Sequence, residues 1–207
     1  MTIALPESLA ETWRPVGTRT STTTVLLASI TAETTLYEPV ETGPAVAELG
    51  ASEVPVRSLF AVDLSFSPPL RSIGISPAGA LSTAAPKARR QLVEVLVDDG
   101  IAVDGTRTER AFEAESGAEG RWYVLDVSYP LAPAVAANGP DRIAAETHVA
   151  VWPTDAAYGL AGGTVPLGLP DAVASSLSTV PPIDPDRDRE AIAALVRSLD
   201  FGDDDGS

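Results

Sequence analysis

The sequence predicts an α+β fold: a curved antiparallel sheet of about five to seven strands packed by two main helices. Three observations point there. Segments rich in β-branched residues and alternating in polarity outnumber helical ones. Most of them are joined by short or irregular links, as antiparallel neighbours are. The two amphipathic helical segments do not alternate regularly with strands, which argues against a doubly wound parallel sheet. The 207 residues suit one domain. We divide them into an N-terminal arm (1–12), a single domain (13–201) and a disordered, solvated acidic tail (202–207) that carries Asp203, Asp204 and Asp205.

The first dozen residues read as a loose arm or a short helix, with Trp13 after them as the candidate anchor. Residues 17–37 are rich in Thr, Val, Leu and Ile, and Leu26, Ala28, Ile30, Ala32 and Leu36 share one parity. They read as one long strand, or as a hairpin bending near Ala28 and Ser29. Residues 38–55 form a connection rich in Pro, Gly and Glu. The clearest strand is 57–66, with Phe60, Val62, Leu64 and Phe66 on one face and Arg57, Asp63 and Ser65 on the other. Pro68 and Pro69 end it, because proline cannot donate to a ladder.

The first substantial helix lies within 76–99. Ser82 or Thr83 serves as N-cap with Pro86 in the first turn, or Ser76 with Pro77 adds a preceding turn. Ala85, Ala88, Leu92, Val95 and Leu96 make its apolar face, and Gly100 stops it. Strands at 106–114 and 122–129 then form a hairpin, and 130–140 is a loop. A strand at 142–152 puts Ile143, Ala145, Val149 and Val151 on one parity and Glu146, His148 and Trp152 on the other, less buried one. Residues 156–165 are its partner strand or a glycine-rich excursion, and 171–182 carry no clear pattern. Asp184 caps a last helix with Pro185 at its first position; Ile192, Leu195, Val196 and Leu199 form its stripe.

Composition excludes several chemistries. With no cysteine and one histidine, thiolate zinc sites, iron–sulfur clusters, cysteine nucleophiles and His-rich metal sites within one chain are ruled out. The aromatics are only 5% of residues, which implies a core of Ala, Val and Leu. Fourteen basic residues face 29 acidic ones, for a formal net charge of −15, and Lys87 is the one lysine. Such a surface repels itself in dilute buffer and is relieved when salt shortens the Debye length to ~3 Å at 1 M. The chain therefore reads as a haloarchaeal cytoplasmic protein whose acidic surface holds solvent cations. The same negative field argues against direct nucleic-acid binding. No secretory signal and no membrane span is visible, so no membrane partner is expected.

Motifs of chemistry are few. His148 is the single candidate general base, with Glu146 two residues away on the same strand face to orient it. Asp184, Asp186 and Asp188 match the opening acids of a calcium loop. The match fails at Arg189, where glycine is needed, and at Leu195, where glutamate is needed, so a capped, charge-paired helix start is the better reading. Gly159, Gly162 and Gly163 lack the lysine and spacing of a phosphate loop, and Ser128, Ser175 and Ser176 lack a nucleophile elbow. No cofactor or metal is expected. Arg89, Arg90, Arg107, Arg110 and Arg121 form a candidate patch for an anionic ligand or acidic partner if the helix packs beside the hairpin; the competing reading is scattered arginine–carboxylate pairing. Trp122 and Tyr123 beside Arg121 are read as packing residues.

Leu-Tyr-Glu at 36–38, Leu-Phe-Ala-Val at 59–62, Asp-Gly at 99–100, Arg-Trp-Tyr-Val at 121–124 and Val-Ala-Val-Trp-Pro at 149–153 together resemble conserved proteins of haloarchaea. Their order across residues 13–200 is similar to folds of the PsbP/Mog1 type. That resemblance implies a curved antiparallel sheet between helices, and a binding or assembly module in place of an enzyme. The expected partner is another protein or a second copy, joined through the strand at 57–66 or another edge. The alternative is a small hydrolase using carboxylates with His148 as general base. The charge reading makes one prediction: melting temperature and cooperativity of ellipticity rise from dilute buffer to molar KCl, and equal stability in both refutes it.

Overall fold

The sequence pattern resolves into fourteen elements in a computed structural model that describes residues 3–25, 28–137 and 139–199. In chain order they are α1 (Glu7–Ala10), β1 (Trp13–Val25), β2 (Ala28–Pro39), α2 (Gly43–Ala47), β3 (Ser58–Ser67), a 3-10 turn (Leu70–Ile73), α3 (Pro77–Asp98), β4 (Ala102–Glu113), β5 (Glu119–Pro130), α4 (Pro133–Ala136), β6 (Arg142–Pro153), β7 (Tyr158–Pro166), α5 (Asp171–Ala174) and α6 (Pro185–Ser198). The seven strands form one open antiparallel sheet in the order β1-β2-β3-β7-β6-β5-β4. The fold is α+β, as the irregular mix of elements predicts. The Thr-rich segment forms two paired antiparallel strands, β1 and β2, with Ala28 and Ser29 inside β2 and not at a bend; residues 26–27 and the acidic tail lie outside the described residues.

The two long helices cover opposite faces. On one, Ile192, Leu195 and Val196 of α6 pack with Trp13, Tyr37, Leu59, Trp122 and Trp152. On the other, Ala85 of α3 packs with Phe60, Tyr123, Val149 and Tyr158, and Leu96 continues into a cluster around Leu125, Tyr129 and Ile143. Aromatics are scarce, yet all three tryptophans and all four tyrosines are buried. The core is therefore Ala, Val and Leu arranged around large aromatic anchors, each of which removes more apolar area from water than any aliphatic side chain.

Two sequence expectations are corrected here. The strand at 57–66 is no sheet edge, because β3 pairs with β2 on one side and, over its first half, with β7 on the other. Its Arg57 is buried. Helix α3 starts at Pro77 with Ser76 as N-cap, accepting from Gly79 N at 3.4 Å, so Ser82 and Thr83 lie inside the helix. Pro86 then sits mid-helix without a donor, a position that ordinarily breaks a helix. It is tolerated because Pro86 and Ser82 face solvent, while Leu81 and Ala84 of the added turns pack on the sheet. Gly100 stops α3 with φ +80°, as its place after Asp-Asp predicts.

Strand β7 sits in the sheet interior, buried at every position. Its Gly162 and Gly163 allow this. A Cβ at Gly162 would lie 2.0 Å from the His148 carbonyl oxygen and 2.7 Å from the Phe60 ring; one at Gly163 would lie 2.4 Å from the Ser58 carbonyl oxygen and 2.9 Å from Ile192. The glycine run is a close-packed central strand, not an excursion. Gly162→Ala should therefore lower stability by about 1–3 kcal/mol or more, read as a lower denaturation midpoint at unchanged slope; an unchanged midpoint would contradict the packing.

Candidate functional site

Glu146 and His148 lie on the α6 face of β6, and their burial corrects the sequence reading: they are 2% and 6% exposed, because α6 covers the parity that looked less buried. Around them the structure assembles one polar cluster. Glu146 Oε1 accepts from Arg189 Nε of α6 at 2.5 Å and from His148 Nε2 at 2.9 Å. Its Oε2 accepts from Arg107 Nη1 of β4 at 2.8 Å. Arg107 also pairs with Asp126, and Arg189 with Asp186 at 2.7 Å.

The indole N–H of Trp122 donates to His148 Nδ1 at 3.1 Å. Indole nitrogen only donates, so Nδ1 must accept and the imidazole proton sits on Nε2, donating to Glu146. Both ring nitrogens are thus committed in the neutral tautomer. Burial holds the His148 pKa below its usual value, outweighing the pull of Glu146. Burial pushes the Glu146 carboxyl up, but hydrogen bonds from Arg189 and His148 outweigh it and hold the group below the usual carboxylate range. The pair is an ionised carboxylate beside a neutral imidazole. A general base needs an open lone pair, and the Nδ1 lone pair is occupied.

The five candidate arginines do not form one patch. Arg89 lies on the α3 face, donating to Thr106 at 2.8 Å and stacking over Tyr123 at 5.7 Å. Arg121 shares the strand parity of Tyr123, and Arg90 is exposed on α3. Arg107 and Arg110 are on the opposite face. They share it despite an odd spacing because β4 bulges between Thr106 and Thr108, which turns Arg107 toward Asp126. The sequence reading missed Arg189, which it weighed only as a failed calcium-loop glycine. Its position in the first turns of a helix whose stripe faces the sheet was the available signal.

Arg110 completes the arrangement. Its guanidinium lies 4.9 Å from the Trp122 ring centroid, and among the described residues it makes no ion pair. Trp122 is itself fixed, edge-on to Phe112 at 5.7 Å and to His148 at 6.0 Å. Phe112 reaches it because Gly120 stands opposite in the register, where a Cβ would meet the Phe112 ring at 2.3 Å. Trp122 and Tyr123 are both buried, on opposite faces.

The three acids at the start of α6 take separate roles. Asp184 caps it, accepting from Arg187 N at 3.1 Å, a contact of a kind worth about 1 kcal/mol. Asp186 pairs with Arg189. Asp188 is buried, and its Oδ1 accepts from Arg57 Nε at 3.0 Å and Nη2 at 2.7 Å. Burial raises the Asp188 pKa against the opposing effect of Arg57. Arg57 also donates to Thr42 at 2.9 Å and stacks over Trp13. Among the described residues no group of His, Asp and Glu is placed to hold a metal ion, and no helix is long and apolar enough to cross a membrane. A surface depression of about 370 Å³ is lined by Arg71, Gly74, Ser76, Pro77, Thr154 and Asp155, and one of about 190 Å³ by Ile3, Leu5, Trp13 and Tyr37; neither reaches His148.

The molecule is thus an α+β domain whose polar centre is a buried Glu–His pair clamped by arginines from a strand and a helix. Residues 5–200 match the family described as "Domain of unknown function (DUF6517)", and the chain belongs to that family. No curated protein and no solved structure matches it.

The cluster predicts a pH response. His148 has a lowered folded-state pKa, so its contribution to stability is complete above the unfolded value of 6.5 and is lost as pH falls below it. Glu146 behaves likewise from 4.5 downward. Asp188, raised in the fold, has the opposite sign and moderates the loss at the acid end. Melting temperature should fall as pH drops from 7 to 5, and His148→Gln should flatten that segment. Glu146→Gln at pH 7 should cost about 2–3 kcal/mol, below the usual value for breaking a buried pair because both guanidinium groups keep part of their hydration. A wild-type melting temperature flat from pH 7 to 5 would contradict the lowered pKa of His148.

Proposed function

We propose that this chain is a non-enzymatic binding or assembly module of the haloarchaeal cytosol, recognising a carboxylate-bearing protein partner through Arg110 and the half-exposed Arg107 and Arg189 beside it. One observation carries the reading: Arg110 lies over a buried indole, 4.9 Å from its ring centroid, and makes no ion pair among the described residues, in a chain where acids outnumber bases 29 to 14. A stacked guanidinium is pre-oriented for bidentate contact and loses little freedom on binding. The cluster beneath it ties Arg107, Arg189 and His148 to the one carboxylate of Glu146. The resemblance to the PsbP/Mog1 type points the same way, and the net charge of −15 supports the haloarchaeal reading. The hydrolase alternative is disfavoured by the occupied Nδ1 of His148.

The test is affinity capture from a halophilic host in molar KCl, with mass spectrometry of retained proteins and small molecules. A stoichiometric protein should be retained by the wild-type chain and by Arg121→Gln, whose arginine is on the other face. Arg110→Gln should weaken retention about tenfold, or ~1.4 kcal/mol. Equal retention by Arg110→Gln would sink the assignment. A retained small molecule that pure protein turns over, with turnover lost in His148→Gln, would establish the hydrolase instead.

A further inference from the structure

The two edges of the sheet are built differently. Strand β4 is protected: it bulges twice, between Val103 and Gly105 and between Thr106 and Thr108, and it carries Asp104, Arg107, Glu109, Arg110 and Glu113. Bulges and charges are what keep an edge from pairing with another chain. Strand β1 has little of either. Its single irregularity lies between Pro15 and Gly17, and from Gly17 onward its ladder with β2 is unbroken. Residues 20–25 read Thr-Ser-Thr-Thr-Thr-Val, with no charge, no proline and high β-propensity. Positions 14–24 are exposed throughout, so both faces of this strand meet water and β2 is its one strand neighbour.

Acidic residues are 29 of 207, yet residues 12–32 contain none. The two cations there are already paired, Arg14 with Glu38 at 2.7 Å and Arg19 with Glu53. The strand is therefore locally neutral in a chain of net charge −15.

We infer that β1 pairs antiparallel with β1 of a second copy about a two-fold axis, joining two seven-stranded sheets into one continuous sheet. A second copy is the occupant that the charge pattern fits. An acidic partner would find its cations already compensated, and a basic partner would find no carboxylate along residues 20–25. Two acidic molecules meet at least electrostatic cost where neither presents its carboxylates, and this strand is such a surface. Two-fold pairing also places Ser and Thr opposite Ser and Thr, a favourable cross-strand combination, with no like charges opposed near the axis. The interface is isologous and closes on itself, so the assembly stops at the dimer.

The experiment uses the full chain in molar KCl. Sedimentation equilibrium should give twice the monomer mass. The chain has no cysteine, so single substitutions Thr18→Cys, Thr20→Cys, Ser21→Cys, Thr22→Cys, Thr23→Cys and Thr24→Cys report directly. In antiparallel two-fold pairing only the position nearest the axis faces its own copy, so disulfide cross-linking should peak at one position and fall at its neighbours. Thr22→Lys, which brings two like charges close to the axis, should shift the equilibrium at least tenfold toward monomer, whereas Thr22→Val should leave it unchanged. A monomeric wild type at all concentrations overturns the proposal. So does a dimer that cross-links at none of these positions, or one unaffected by Thr22→Lys when that variant keeps the wild-type melting transition.

Discussion

A carboxylate in the middle of a protein has to be matched by donors, and the Glu146 carboxylate, 2% exposed, organises much of this fold. Its partners come from three places: Arg107 on the edge strand β4, His148 on β6 itself and Arg189 on α6. An ion left unmatched there would cost several kcal/mol. The register of β4, the seating of α6 and the tautomer of His148 are therefore set together. The second buried pair, Arg57 with Asp188, fixes the same helix one residue earlier and ties it to the start of β3. Helix α6 is held by two salt bridges on consecutive residues as well as by its apolar stripe.

The aromatic residues and the glycines solve a complementary problem. Three tryptophans and four tyrosines need depth, and a sheet packed on both faces gives it only where neighbouring backbone is bare. Gly120 admits Phe112 beside Trp122, and Gly162 admits Phe60 beside the His148 carbonyl. Close packing of this kind leaves no room for adjustment, so small changes in volume are felt as strain. The tightest packing and the polar cluster lie side by side on β6 and β7.

Much of the fold was legible because its signals are local. The alternation of Phe60, Val62, Leu64 and Phe66, the Asp184–Pro185 helix start and the Gly100 stop each encode their own geometry. What failed depended on distant residues. Ser82 with Pro86 is as good a helix start as Ser76 with Pro77 until Leu81 and Ala84 are seen to have a sheet to pack on. His148 looked less buried because polar neighbours share its parity, and nothing nearby announces the helix that arrives about forty residues later to cover it. Of the five arginines, Arg107 and Arg110 share a face only through a bulge that strict alternation does not anticipate. Arg189 was read against a calcium motif, and its true partner, Glu146, lies 43 residues away.

The hydrogen bond from the Trp122 indole to the one histidine has a consequence for observation. A protonated imidazole quenches a neighbouring indole's fluorescence, whereas a neutral one does so weakly. Among the three tryptophans, Trp122 is the one whose indole is hydrogen-bonded to that ring. The protein thus carries an optical gauge at the centre of its polar cluster, and imidazole resonances in a nuclear magnetic resonance spectrum belong to this residue alone. A loosening of α6 from the sheet can be followed there without any added label.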